Sequence, residues 1–195
     1  IGLFSTLKGI LDDIGIEKWG WIGGKSGANG GSICARPGYV KIGTTANRAF
    51  ICTPTLTAIP EDRVATVEVK FKAAPYGSVE EKTVNEAERY ITVQALNGAT
   101  YSDTYAVSYL SVASEKKLTL EGDKLSDWKE YTVTLTDVTN ATAIAIGGAL
   151  GATETNRFLL DDVRVTLKAF QEAPKVEGTG TVRGVSLETL FKMAQ

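Results

Sequence analysis

The chain has 195 residues, 23 Asp+Glu against 21 Lys+Arg, two cysteines and no histidine; with 43% hydrophobic and 23% charged residues it fits one globular domain with short extensions and excludes a disordered or collagen-like chain. A formal charge of −2 supplies no basic field for phosphate backbones, which argues against nucleic-acid binding. The missing histidine removes the Ser-His and Cys-His nucleophile pairs and every histidine-containing zinc site.

Taken in chain order, Leu3, Leu7, Ile10, Leu11 and Ile14 recur at helical spacing and predict a short amphipathic helix over residues 3–14 that packs on the rest of the chain. Gly9 weakens that helix by about 1 kcal/mol relative to alanine. The stretch Gly20-Trp21-Ile22-Gly23-Gly24-Lys25-Ser26 imitates a phosphate-binding loop, but Trp19 stands where the first glycine is required, so the segment reads as a surface loop. Cys34 and Cys52 are too far apart for a C-x-x-C signature, leaving one disulfide or two buried thiols. Their apolar neighbours Ile33, Ala35, Phe50 and Ile51 favour unbridged thiols.

From about residue 39 to residue 168 the pattern has period two. In Val64–Ala73, Ala65, Val67, Val69, Phe71 and Ala73 alternate with Thr66, Glu68, Lys70 and Lys72, as in a strand with one face in a core and one in water. Similar segments are Tyr39–Gly43, Arg48–Thr53, Arg89–Leu96, Tyr105–Val112, Lys129–Thr136, Thr142–Gly147 and Arg157–Lys168, making about eight strands. Turn residues such as Pro37-Gly38, Asn97-Gly98 and Glu121-Gly122-Asp123 separate them, and no βαβ spacing occurs. The expected fold is all-β, an antiparallel sandwich of jelly-roll type, with Val67, Val69, Phe71, Ile91, Val93, Val133, Leu135, Ile144 and Val163 inward. Gln171–Gly184 reads as a polar linker, followed by Ser186 as N-cap of a short helix with Leu187, Leu190, Phe191 and Met193. The domain plan is thus a helical extension over 1–14, a sandwich over 15–170, and a linker with a short helix over 171–195.

No stretch approaches the roughly 18 apolar residues of a membrane span. The chain begins at Ile1 and not at methionine, which points to a processed product or to a piece of a larger parent chain with further domains, any export signal lying upstream.

Paired acids for glycosidase chemistry are available at Asp12-Asp13, Glu80-Glu81 and Asp161-Asp162, but nothing in their spacing marks a catalytic pair, so the chain reads as a non-enzyme. Aromatics are more informative. Trp19 and Trp21 share a face if extended, and Tyr101 and Tyr105 flank the polar Asp103, so these five residues form the candidate ligand site; flat rings can stack on sugars while neighbouring polar groups take the hydroxyls. Asp161 and Asp162 point to opposite faces of the last strand, and Asp161 falls on the side of Leu159, Val163 and Val165. A carboxylate there must be hydrogen-bonded or bound to a metal, for which calcium suits an oxygen-rich cage.

Six features carry a resemblance when taken in this order: an N-terminal segment with Trp19 and Trp21, Pro37-Gly38-Tyr39-Val40-Lys41-Ile42-Gly43, Phe50-Ile51-Cys52-Thr53-Pro54-Thr55-Leu56, Val67-Glu68-Val69-Lys70-Phe71-Lys72-Ala73, Trp128-Lys129-Glu130-Tyr131-Thr132-Val133-Thr134-Leu135, and Asn156-Arg157-Phe158-Leu159-Leu160-Asp161-Asp162-Val163-Arg164-Val165. Together these resemble the galactose-binding-like jelly-roll domains of cell-surface and secreted proteins of gut Bacteroidetes, which look like carbohydrate-binding modules. The resemblance covers roughly residues 15–168. It implies a non-catalytic domain that recognises a glycan or polysaccharide, outside the cell or at its surface, as in an outer-membrane lipoprotein. A structural calcium is held in some such domains partly by an acid on the last strand. The alternative is a structural or adhesion domain of a multidomain surface protein without a small ligand.

Overall fold

The computed structural model describes residues 19–22, 33–36, 38–44, 48–76, 89–122, 127–148 and 157–172. The helices expected over 3–14 and after Ser186 lie outside the described residues. Among those described, no helix is long and apolar enough to cross a membrane.

The strands are β1 (Gly20–Ile22), β2 (Ile33–Arg36), β3 (Tyr39–Ile42), β4 (Phe50–Cys52), β5 (Arg63–Pro75), β6 (Tyr90–Asn97), β7 (Thr100–Tyr101), β8 (Val107–Ser108), β9 (Ser111–Thr119), β10 (Lys129–Val138), β11 (Thr142–Gly147) and β12 (Phe158–Glu172). They form two five-stranded sheets, in the orders β1-β4-β11-β6-β9 and β10-β5-β12-β3-β2, with β7 and β8 as a separate pair. Neighbours in both sheets run antiparallel. The protein is an all-β antiparallel sandwich.

Alternation builds the core. Val67, Val69, Phe71, Val133, Leu135 and Phe158 of the second sheet meet Ile51, Ile91, Val93, Ile144 and Ile146 of the first in one buried cluster. Every residue expected inward is in this cluster or, like Val163, packs against it. β11 departs from alternation and is buried at every position. The cause is a second apolar layer on the outer face of the first sheet, where Phe50, Cys52, Leu96, Ala143 and Ala145 are covered by Ala99, Tyr101, Val107 and Tyr109 of the segment that carries β7 and β8. A strand buried on both faces reads as a continuous apolar run.

Cys52 lies in this outer layer and Cys34 on β2 of the other sheet; neither is in a disulfide, as their apolar surroundings indicated. Burial pushes the Cys52 thiol far above its ordinary pKa.

One side of the sandwich is closed by Ser114 of β9. Its hydroxyl donates to the carbonyl of Thr136 on β10 at 2.9 Å and accepts from the Thr136 N–H at 3.1 Å. β9 and β10 are edge strands of different sheets, so this one side chain of β9 pairs both backbone groups of Thr136 on the β10 edge and links the two sheets.

Three expectations are corrected. Gly20–Ile22, read as part of a surface loop, is strand β1 paired with β4. The segment Tyr105–Val112 is not one strand: Tyr105 has φ 62°, and β8 and β9 follow separately. Asp161 does not share a face with Val163 and Val165. A bulge intervenes, since Asp161 pairs with Lys72 and Arg164 with Lys70, leaving Asp162 and Val163 together opposite Phe71. Leu160 before the bulge and Val163 after it both face the core, which puts Leu159 and Asp161 on the outer face. Asp162 occupies the bulge at φ 51° and is exposed.

Candidate aromatic sites

The five residues expected to bind ligand lie where β1 meets the β7–β8 hairpin. The turn is built by Ser102, whose N–H donates to the Ala106 carbonyl at 2.9 Å and whose carbonyl accepts from the Tyr105 N–H at 2.9 Å. Its hydroxyl also accepts from the N–H groups of Thr104 at 3.3 Å and Ala106 at 3.1 Å. These bonds hold Tyr105 in the left-handed region, the position after a hairpin turn that glycine ordinarily fills. β1 docks against the hairpin through the Trp21 N–H to the Tyr105 carbonyl at 3.0 Å. Gly20 permits the approach, because a Cβ there would lie 2.7 Å from both Tyr101 Cε1 and the Tyr105 carbonyl oxygen.

The structure therefore brings Trp21, Tyr101, Asp103 and Tyr105 together, with Trp19 preceding Gly20. They do not make one stacking plane. Trp19 and Trp21 pack against the main core, whereas Tyr101 packs on the outer layer, on the opposite face of the first sheet. Two polar tips are also engaged inside the fold: Trp21 Nε1 donates to the Thr104 carbonyl at 3.1 Å, and the Tyr101 hydroxyl donates to the Thr53 carbonyl. Burial raises the Tyr101 pKa well above the usual tyrosine value. Ser102, Asp103 and Thr104 remain exposed at the hairpin tip.

A second aromatic group, not anticipated as a site, lies on the outer face of the second sheet. Tyr39 at the start of β3 and Trp128 just before β10 are half-buried and meet edge to face, with centroids 5.7 Å apart and planes at 64°. Tyr76, just beyond β5, lies under the Lys41 ammonium at 4.9 Å and the Arg157 guanidinium at 4.7 Å. Beside them Leu159 and Ala74, paired across the strands, are 3% and 0% exposed although they point away from the core. This is an apolar floor on β5 and β12 with aromatic walls at strand ends and a charged margin. The signal was in the parity: Val40 and Ile42 are inward, so Tyr39 and Lys41 face out, and Tyr131, Val133 and Leu135 are inward, so Trp128 falls on the outward set. Only the register across β3, β12, β5 and β10 brings residues so distant in sequence together.

Next to this group, Lys72 bonds the Asp162 carboxylate at 2.7 Å, which holds the Asp162 pKa below and the Lys72 pKa above their usual values. Asp161 is half-buried, and its Oδ1 accepts from the Asp162 N–H at 2.8 Å. Among the described residues no three His, Cys, Asp or Glu side chains gather to hold a metal ion. The Asp161 carboxylate thus anchors the bulge through a backbone N–H, and a calcium cage there would draw most of its oxygens from backbone carbonyls.

No family model matches the chain, and no curated protein matches it. Solved structures similar to it include a CBM4 module, 22% identical over 70% of this chain and 75% of that one, with TM-score 0.40. TmCBM61 in complex with β-1,4-galactotriose is 13% identical over 78% of this chain and 90% of that one, with TM-score 0.42. The K3 adhesin domain of Lys-gingipain from Porphyromonas gingivalis is 18% identical over 77% of this chain and 92% of that one, with TM-score 0.43.

Proposed function

We propose that the chain is a non-catalytic glycan-binding domain of jelly-roll type that works outside the cell or at its surface. The jelly-roll form is supported by the strand order, in which β3-β12-β5-β10 and β4-β11-β6-β9 make the two four-stranded halves of a double Greek key, extended by β2 and β1. The observation that carries the function is the Tyr39–Trp128 pair on the outer face of the second sheet. Partly exposed rings at the ends of strands can take the apolar faces of sugar rings, while Asp161 and the cations around Tyr76 offer partners for hydroxyl groups. The cluster at Trp21, Asp103 and Tyr105 is the second candidate surface, favoured by the exposed polar hairpin tip next to a backbone held at φ 62°.

The alternative, a structural or adhesion domain without a small ligand, is favoured at the hairpin by the engagement of the Tyr101 hydroxyl and the Trp21 indole within the fold. A glycan array probed with the chain, followed by a turnover assay on any glycan bound, separates the readings. Retention of one glycan class without turnover supports the proposal, retention of none supports the structural domain, and turnover would make the chain an enzyme.

A further inference from the structure

Arg89, just before β6, is 8% exposed, and a guanidinium buried that far needs its N–H groups hydrogen-bonded. Its partners include main-chain carbonyls of the segment that leaves β9: Nη1 donates to Leu120 at 3.4 Å and to Gly122. The same segment is held at two further points. The Leu120 N–H donates to the Arg89 carbonyl at 2.8 Å, and the Glu121 N–H donates at 2.8 Å to the hydroxyl of Tyr131, whose ring stacks on Phe71 in the core. Residues 120–122 are thereby tied to the start of β6 in the first sheet and to β10 in the second. Gly122 passes this fixation on. It has φ 107°, and a Cβ there would lie 2.4 Å from the Cβ of Asp127, so the chain returns against Gly122 just before β10 begins. Asp127 is followed by Trp128, whose ring meets Tyr39. Trp128 stands outside the strand, so the β10 ladder, which begins at Lys129 opposite Ala73, constrains it from one side only.

We propose that Arg89 is a positioning residue for the glycan surface: its guanidinium holds Gly122, Gly122 holds Asp127, and Asp127 sets the backbone from which the Trp128 ring reaches Tyr39. The proposal rests on the reading of the Tyr39–Trp128 pair as that surface. Arg89 opens a strand of the first sheet, whereas the ring pair lies on the outer face of the second, so the coupling runs through the main chain of the β9–β10 connection. A guanidinium suits this task because its planar donors bind carbonyls in fixed directions, which the compact charge of a lysine ammonium does not reproduce. Binding constellations are held to within about 0.5 Å, so a small shift of the Trp128 backbone is enough to spoil stacking on a sugar.

Fluorine NMR of the full chain labelled with 5-fluorotryptophan tests this without any ligand, because the chain has three tryptophans, Trp19, Trp21 and Trp128, and Trp128→Ala assigns the third resonance. In Arg89→Met and in Gly122→Ala the Trp128 resonance should shift or broaden, while those of Trp19 and Trp21, packed against the main core, stay in place. Arg89→Lys should restore it only in part. The two unmoved resonances also show that a variant is folded; if Arg89→Met does not fold, Gly122→Ala and Arg89→Lys decide. A Trp128 resonance unmoved in folded variants overturns the inference, and so does a shift of all three together, which would make the connection a general stabiliser. Titration with a glycan retained on the array separates this from the reading of the surface. Where Trp128→Ala weakens binding, Arg89→Met and Gly122→Ala should weaken it by about tenfold, and full affinity in both contradicts the inference. Where Trp128→Ala keeps full affinity, the reading of the surface fails and the fluorine spectrum alone decides the role of Arg89.

Discussion

The phenolic hydroxyl of Tyr101 donates to the backbone carbonyl of Thr53, 48 residues away in sequence, and so ties the β7–β8 hairpin to the end of β4. The bond lies at the margin of the outer apolar layer that contains Cys52. Tyr101→Phe keeps the ring and removes the donor, leaving the Thr53 carbonyl without it. Urea denaturation should show a loss of about 1–2 kcal/mol. No loss would mean that water replaces the phenol at no cost and that the tie is dispensable.

The same corner fixes a pH dependence. Burial raises the pKa of both Cys52 and Tyr101, so the folded chain keeps protons that the unfolded chain gives up. Such groups contribute stability that is complete below their unfolded pKa values and is lost as pH rises above them. Stability should therefore hold up to about pH 8 and fall from about pH 9 upward, and thermal melts across pH 7–11 measure it. Tyr101→Phe and Cys52→Ala should each make the alkaline fall shallower; an unchanged slope in both would place its origin elsewhere.

Tyr105 occupies a left-handed backbone position that suits glycine, and this separates fold from recognition at the hairpin. Tyr105→Gly relieves roughly 1 kcal/mol of backbone strain and gives up the contacts of a half-buried ring. The two effects oppose, so the melting temperature should move little. If the hairpin tip contributes to ligand affinity, the same variant weakens binding on the order of tenfold or more. A large loss of stability would show that the ring is mainly a packing element.

How far the sequence was legible depends on what each residue does in a sheet. Val67, Val69, Phe71, Val133 and Leu135 repeat with period two because one face of their strands is wet, and they were read correctly. β9 was missed because it is an edge strand whose Glu115, Lys116 and Lys117 are exposed in succession, which leaves no alternation to read. The bulge at Asp162 inverted the reading of Asp161, since one inserted residue exchanges the two faces of a strand. At the hairpin the sequence grouped Trp21, Tyr101, Asp103 and Tyr105 in one region, but it could not show that Tyr101 and Trp21 lie on opposite faces of the sheet. The Tyr39–Trp128 pair depends on strand register, which local spacing does not encode.

Asp161 anchors that bulge through its 2.8 Å bond from the Asp162 N–H. Asp161→Ala should cost about 1 kcal/mol, and Asp161→Asn, which keeps an acceptor, should recover most of it. A chelator should leave the wild-type melting temperature unchanged. A chelator-dependent fall that Asp161→Ala abolishes would restore calcium to this strand.

The central claim is that rings on the outer face of the second sheet bind a glycan, and it is tested most directly by isothermal titration of the best array ligand into the wild type, Tyr39→Ala and Trp128→Ala. Each of the two variants should lose affinity by about tenfold or more, 1–3 kcal/mol, while both stay folded at the titration temperature because the rings lie outside the main core and are partly exposed. Full affinity in both variants, or loss only in a chain carrying Asp103→Ala, would contradict the claim and move the site to the β7–β8 hairpin.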